Sequence, residues 1–404
     1  MRKTFWIVLA ITFFVVSGYV TAGGMMGGWN IDVAGITHGA VWDPGGSYLG
    51  SSLLLFEQRY SPFIGHPGLT LMLYCHFVAK ALYGVSGSGA TFQHFAGTAI
   101  YRITYASMLA VTALWLAAFA VVEQVALAIL RNARMAMLAT LAFATTYPTL
   151  YYINRISPEP LLVIFTLLAF LWLWRYYELG DSPRAMLFLV LSSQAGAAAL
   201  YTKAMIVGPV VLFIPFQILF RRGVSGVRRI RDAAIHITSA VPLMVLGAWK
   251  VDWAYFFRFW FGYAPGRPQY VESKIWAVNV MNNAVGTTGA MLAATMNTLA
   301  SGAFLPSFSS REGLFFAAET IFLLIALAGL TMYYRSARNH PALLTWYLGF
   351  VALASIPYLQ RGLGGWHYLH LQLATASIFF SYGMARMVRR VTNVVPETSA
   401  GWLA

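Results

Sequence analysis

Acidic residues are scarce in this chain: 13 in 404 positions, against 27 lysines and arginines. Charged residues of both signs make up only 10% of it and hydrophobic ones 59%. A soluble globule needs far more charge to wet its surface, so that class is excluded and a polytopic membrane protein is expected. There is one cysteine, Cys75, so no internal disulfide can form and no CxxC metal or redox pair exists. HExxH, Walker, GxGxxG and GxSxG patterns are absent as well, which removes the usual zinc-protease, nucleotide and serine-hydrolase readings. No tandem repeat or low-complexity tract interrupts the chain.

What is present is a series of apolar runs punctuated by arginine clusters. The formal net charge of +14 sits in Arg2-Lys3, "RNAR" at 131–134, Arg175 with Arg184, "RRGVSGVRRIR" at 221–231, "RSAR" at 335–338 and "RMVRR" at 386–390. Short basic clusters between apolar runs are the mark of cytoplasmic loops rather than of a nucleic-acid surface. If every cluster is cytoplasmic, each consecutive pair must enclose an even number of crossings. The runs 5–22, 100–122, 135–150, 160–174, 185–200, 204–220, 233–250, 313–333, 342–358 and 368–385 satisfy that rule. They predict an all-α, multi-pass membrane protein of about ten transmembrane helices with both termini cytoplasmic. The first run could also be a signal peptide cleaved near Ala22-Gly23, but it exceeds the usual h-region in length.

One run breaks the parity. "LTLMLYCHFVAKALYG", 69–84, carries His76 and Lys80, costly at mid-bilayer, and is read as an amphipathic helix on the outer face. Residues 286–306 are read as a re-entrant or surface helix. The chain is then a single membrane domain, 1–390, with a structured first outer loop at 23–98 and a short cytoplasmic tail at 391–404. Other outer segments are 146–160, the turn at 201–203, the aromatic loop 251–274 and "LQRGLGGWHYLH" at 359–370.

The outer segments hold the candidate chemistry. Asp43, followed by Pro44-Gly45-Gly46, stands where the cap of a helix over roughly 46–58 would be; capping alone explains it, and so would a catalytic carboxylate. His66 and Pro67 enter the 69–84 helix, where orphan backbone donors could meet an anion, although HPG is also an ordinary helix-entry turn. Lys203 has no neighbouring charge within its apolar run, so it marks a turn between spans, snorkels, or has an anionic partner. Arg155 and Glu159 are spaced to form an interfacial ion pair, and Arg361, His367 and His370 gather in the last outer segment.

In their order, these features resemble the GT-C superfamily of membrane glycosyltransferases, in particular protein O-mannosyltransferases and lipid A aminoarabinose transferases. Asp43 and Tyr48 in "DPGGSY" match that family's D-E-x-x-Y, "HPGL" its H-P-P-L or K-P-P-L, "YTKA" its L-T-K-G turn, "YYINRISPEP" its second outer loop and "GGWHYL" a late HYLL-like entry. The resemblance runs from the first span to about residue 385. The family's second acid is Pro44 here and its second proline is Gly68. The resemblance allows a divalent metal, while the missing acid argues against one.

What the resemblance implies is inverting transfer of a sugar from a polyprenyl-phosphate donor to a glycan, lipid or protein acceptor at the extracytoplasmic face of the cell membrane. Asp43 would be the base; His66, Lys203, Arg361 and His367 would hold the donor phosphate, with Tyr48, Arg155 and Glu159 in support. Membrane lipids are the other expected partners, and nucleic acid is not one. A secondary transporter or flippase of lipid-linked sugars, and a ligase using a diphosphate-linked glycan, are the competing readings.

Overall fold

A computed structural model describes residues 2–26, 45–57, 68–87, 89–153, 155–251, 311–336, 341–359 and 370–392. These are helical apart from short turns and caps. In chain order the helices are α1 (Arg2–Met26), α2 (Gly45–Leu53), α3 (Leu69–Ser86), α4 (Phe92–Thr98), α5 (Ile100–Leu130), α6 (Ala133–Ala144), α7 (Tyr147–Tyr152), α8 (Glu159–Leu179) and α9 (Pro183–Leu219). Then follow α10 (Gly226–Ala248), α11 (Arg311–Ser336), α12 (Pro341–Leu359) and α13 (His370–Thr392). Among the described residues, five segments are long and apolar enough to cross a membrane: α3, α5, α8, the Pro183–Lys203 part of α9, and α10. The surface helix expected at 286–306 and the aromatic loop 251–274 lie outside the described residues, except for Val251.

Helix boundaries follow local chemistry. Asn132 caps α6 and Thr91 caps α4, each side chain accepting a backbone N–H from the third residue on. The run expected as one span, 135–150, is broken between α6 and α7. Pro148 sits in the first turn of α7, and the Thr145 and Thr146 hydroxyls bond back to carbonyls of the preceding turn. Helix α2 is shorter than expected and ends at Leu53; Ser52 donates to the Leu49 carbonyl and the chain turns over 54–57. Helix α5 runs eight residues past the predicted 122, where Glu123 is held by Arg2 (2.7 Å) and Trp6 (2.8 Å) of α1.

The chain folds back at Lys203. Its backbone leaves the helical region (φ −159°, ψ 74°) within α9. On one side of it, Lys203 meets Glu159 at the start of α8; on the other, Gln217 accepts from the Tyr177 hydroxyl (2.6 Å) at the end of α8. Those two α8 positions are about 27 Å apart at 1.5 Å per residue, and a straight α9 would carry Gln217 away from Tyr177. Both halves therefore lie antiparallel to their predecessor, as the expected turn at 201–203 requires. The first half also runs parallel to α10, through Ser193 with the His236 carbonyl, Gln194 with that of Ser239, and Tyr201 with that of Met244.

This arrangement sorts the described residues into two ends. Arg131, Arg175, Arg221 and Arg228 gather at one, where Arg131 and Arg175 both pair with Glu178 and Arg228 reaches the Gly180 carbonyl. Glu159, Lys203 and His370 meet at the other. Helix α3 joins this second end: Thr70 bonds Thr202 (2.7 Å) and Tyr74 donates to the Ala110 carbonyl (2.9 Å). His76, expected to be awkward in a span, is buried with Nδ1 2.7 Å from the Ser52 carbonyl, and Lys80 lies 3.8 Å from the centre of the Phe92 ring.

Candidate functional site

Glu159 is the first residue of α8, placed there by the Pro158-Glu-Pro160 sequence that opens the helix. It is buried, and so are Lys203 at the fold-back of α9 and His370 at the first turn of α13. Three chain segments far apart in sequence thus converge. Lys203 Nζ donates to Glu159 Oε1 at 2.5 Å, and His370 Nδ1 lies 3.6 Å from Glu159 Oε2. That last separation is beyond hydrogen-bond length, and among the described residues Glu159 Oε2 and both His370 ring nitrogens have no hydrogen-bond partner.

Aromatic rings enclose the histidine. Trp115 of α5 lies 5.1 Å from the His370 ring and Tyr152 of α7 lies 5.2 Å from it, edge-on. Both rings are fixed from behind, because Trp115 Nε1 donates to the Tyr152 carbonyl (2.9 Å) and Thr112 to that of Ile153 (2.9 Å). A dry wall of this kind strengthens any charge interaction inside it. It also makes the Lys203–Glu159 pair expensive to break, since neither charge can recover its hydration in place.

The structure revises the expected pairing of Glu159. Its carboxylate goes to Lys203 rather than to Arg155, whose guanidinium lies 5.9 Å from the centre of the Tyr152 ring. Lys203 does not snorkel: it is 6% exposed and held by a carboxylate. Tyr48 is fully buried, and its ring occupies the space that a Cβ at Gly68 would need. Asp43, His66, Arg361 and His367 lie outside the described residues. The structure adds three groups that sequence reasoning left unassigned. His370 shared an outer segment with His367, and nothing in local sequence chose between them; the Thr70–Thr202 contact and the Trp115–Tyr152 wall had no sequence signal.

Gly68 accounts for the HPG corner. It precedes α3 with φ +47°, a left-handed conformation that proline cannot adopt, so the family's second proline has no place in this turn. Gly68→Ala should destabilise the purified protein by about 2–4 kcal/mol, combining the left-handed backbone cost with the collision against Tyr48. Gly87 is the internal comparison, since it has φ +60° but no atom within 4 Å of its would-be Cβ. Gly87→Ala should cost only about 1–2 kcal/mol, and equal losses in thermal unfolding of the two variants would deny the Tyr48 contact any energetic role.

A divalent metal finds no full ligand set here. Among the described residues no three His, Cys, Asp or Glu side chains come together, and Glu159 already has an ammonium on one oxygen. The described part of the site does not fit a metal ion.

No protein-family model matches the chain, and no curated protein matches it. Similar solved structures include two of an archaeal oligosaccharyltransferase. One is the crystal structure of the Archaeoglobus fulgidus oligosaccharyltransferase in complex with Zn and sulfate, at 13% identity and TM-score 0.51, covering 95% of this chain and 50% of that one. The other is the archaeal oligosaccharyltransferase AglB from Archaeoglobus fulgidus in complex with an inhibitory peptide and a dolichol-phosphate, at 12% identity and TM-score 0.48, covering 98% of this chain and 52% of that one. The chain therefore spans about half the length of these enzymes. The first likeness shows a shared fold.

Proposed function

We propose that this protein is a membrane glycosyltransferase of GT-C type, moving a sugar from a polyprenyl-phosphate donor to an acceptor hydroxyl with inversion. The observation that carries this reading is the buried Lys203–Glu159–His370 cluster. It brings the "YTKA" turn, the "RISPEP" segment and the last outer segment together at the end of the bundle opposite the arginine clusters. With those clusters cytoplasmic, the site faces outward, and the back-and-forth course of the helices supports about ten crossings with α3 outside the count.

In this mechanism Asp43 takes the proton of the acceptor hydroxyl as the sugar's bond to phosphate breaks. Lys203, His66, Arg361 and His367 hold the departing lipid phosphate, where a charge-assisted bond in dry surroundings is strong. Tyr48 packs against the Gly68 corner that leads into α3, while Arg155 borders the aromatic wall. A transporter would concentrate ionisable groups near the middle of its helices; the cluster sits at helix ends, which favours transfer. The structural neighbours are named for oligosaccharyl transfer, so a diphosphate-linked donor is the second reading.

The test incubates purified protein with a panel of polyprenyl-phosphate sugars and polyprenyl-diphosphate glycans. Released polyprenyl phosphate supports the proposed reaction, released diphosphate supports the second reading, and sugar movement across proteoliposomes without release of either overturns both.

A further inference from the structure

Resting on the reading of Lys203 as a donor-phosphate ligand, a physical difficulty appears. Lys203 and Glu159 together carry no net charge, and a neutral buried pair offers an anion little attraction. Either the carboxylate stays on the ammonium and competes with the phosphate, or it acquires another partner. His370 is the group in place to be that partner. Its Nδ1 lies 3.6 Å from the oxygen of Glu159 that Lys203 does not use. Closing to hydrogen-bond length needs a shift of only about 0.5 Å.

We propose that His370 is a positioning residue for donor binding: it takes up a proton and receives the Glu159 carboxylate as Lys203 turns from that carboxylate to the donor phosphate. The cluster gains one positive charge when the anion enters, so the buried assembly stays close to neutral in both states. Among the described residues nothing else facing the ring does this. Glu159 of α8 is the carboxylate and Lys203 of α9 the cation on its other oxygen; Trp115 of α5 and Tyr152 of α7 supply rings. Arg134 in α6 and Arg335 in α11, the charged side chains described in those helices, lie near the far end, and α12 has none. The Arg155 guanidinium lies 5.9 Å from the centre of the Tyr152 ring.

The sign of the pH dependence follows. An anion on Lys203 favours protonated His370, so binding is tightest at low pH and weakens as pH rises. A sugar-free phosphodiester, farnesyl methyl phosphate, is a suitable probe, because its single charge does not change across this range. Its affinity for the full-length protein in detergent is measured from pH 5.5 to 8.5, for wild type and His370→Gln. Gln can donate to Glu159 but cannot gain charge.

Wild-type affinity should fall with rising pH by up to about tenfold per pH unit, because one proton is taken up on binding, and His370→Gln should bind weakly with a flat profile. A flat wild-type profile, or a slope that persists in His370→Gln, overturns the role of His370 while leaving Lys203 as ligand. Wild-type protein that binds no phosphodiester at any pH overturns the phosphate site itself and this inference with it. The wild-type profile needs no variant to fold; for His370→Gln, an unchanged unfolding temperature alongside a flat profile separates positioning from support of the fold.

Discussion

Lys203→Met should destabilise the purified protein by about 3–5 kcal/mol, because it leaves the Glu159 carboxylate buried beside a thioether. Glu159 is 1% exposed and Lys203 6% exposed, so neither can turn to solvent where it stands. The double change Lys203→Met with Glu159→Leu removes both charges and should recover most of that loss, since well-packed apolar replacements of a buried pair are commonly neutral or stabilising. Thermal unfolding of the four proteins gives the coupling directly. Donor binding should not recover. A double variant that is stable and binds a polyprenyl-phosphate sugar as wild type does would confine Lys203 to holding the fold-back of α9.

Asp43→Asn separates a helix cap from a base. Asparagine caps a helix about as well as aspartate does, so a residue that only capped the segment leading to α2 would tolerate the change. A base would not, because the amide cannot take a proton, and transfer should fall by roughly 10²–10⁴-fold. The expected result is unchanged unfolding temperature and donor affinity with turnover nearly abolished. Turnover close to wild type returns Asp43 to the cap. Asp43→Ala completes the comparison: it should lose turnover to the same degree and additionally cost about 1 kcal/mol of stability if the cap exists as well.

Much of the helical layout was legible because its causes are local. Arginine clusters marked chain reversals, since charge at one membrane face and apolar length between faces are both written in consecutive residues. The fold-back at Lys203 is the clearest instance: a lone cation in a long apolar run had to be a turn, a snorkelling side chain or a paired charge, and it is both the turn and the pair. The break between α6 and α7 was missed even though Pro148 and the two threonines were visible, because hydropathy runs through them unchanged. The extension of α5 depended on a partner as far off in sequence as Arg2 is from Glu123.

The site divides in the same way. That Glu159, Lys203 and the last outer histidines were candidates was readable from their rarity in an apolar chain and from the order of the motifs. That Glu159 pairs with Lys203 rather than Arg155, that His370 joins them, and that Gly68 must be glycine because Tyr48 fills its Cβ space were not readable. Sequence alone determined the class of protein, the all-helical plan and the small set of residues able to do chemistry, since these depend on composition and on charges counted along the chain. Only the tertiary structure decided which of those residues meet, because 44 positions separate Glu159 from Lys203, and the packing of helix against helix, not any local preference, sets the 2.5 Å between them.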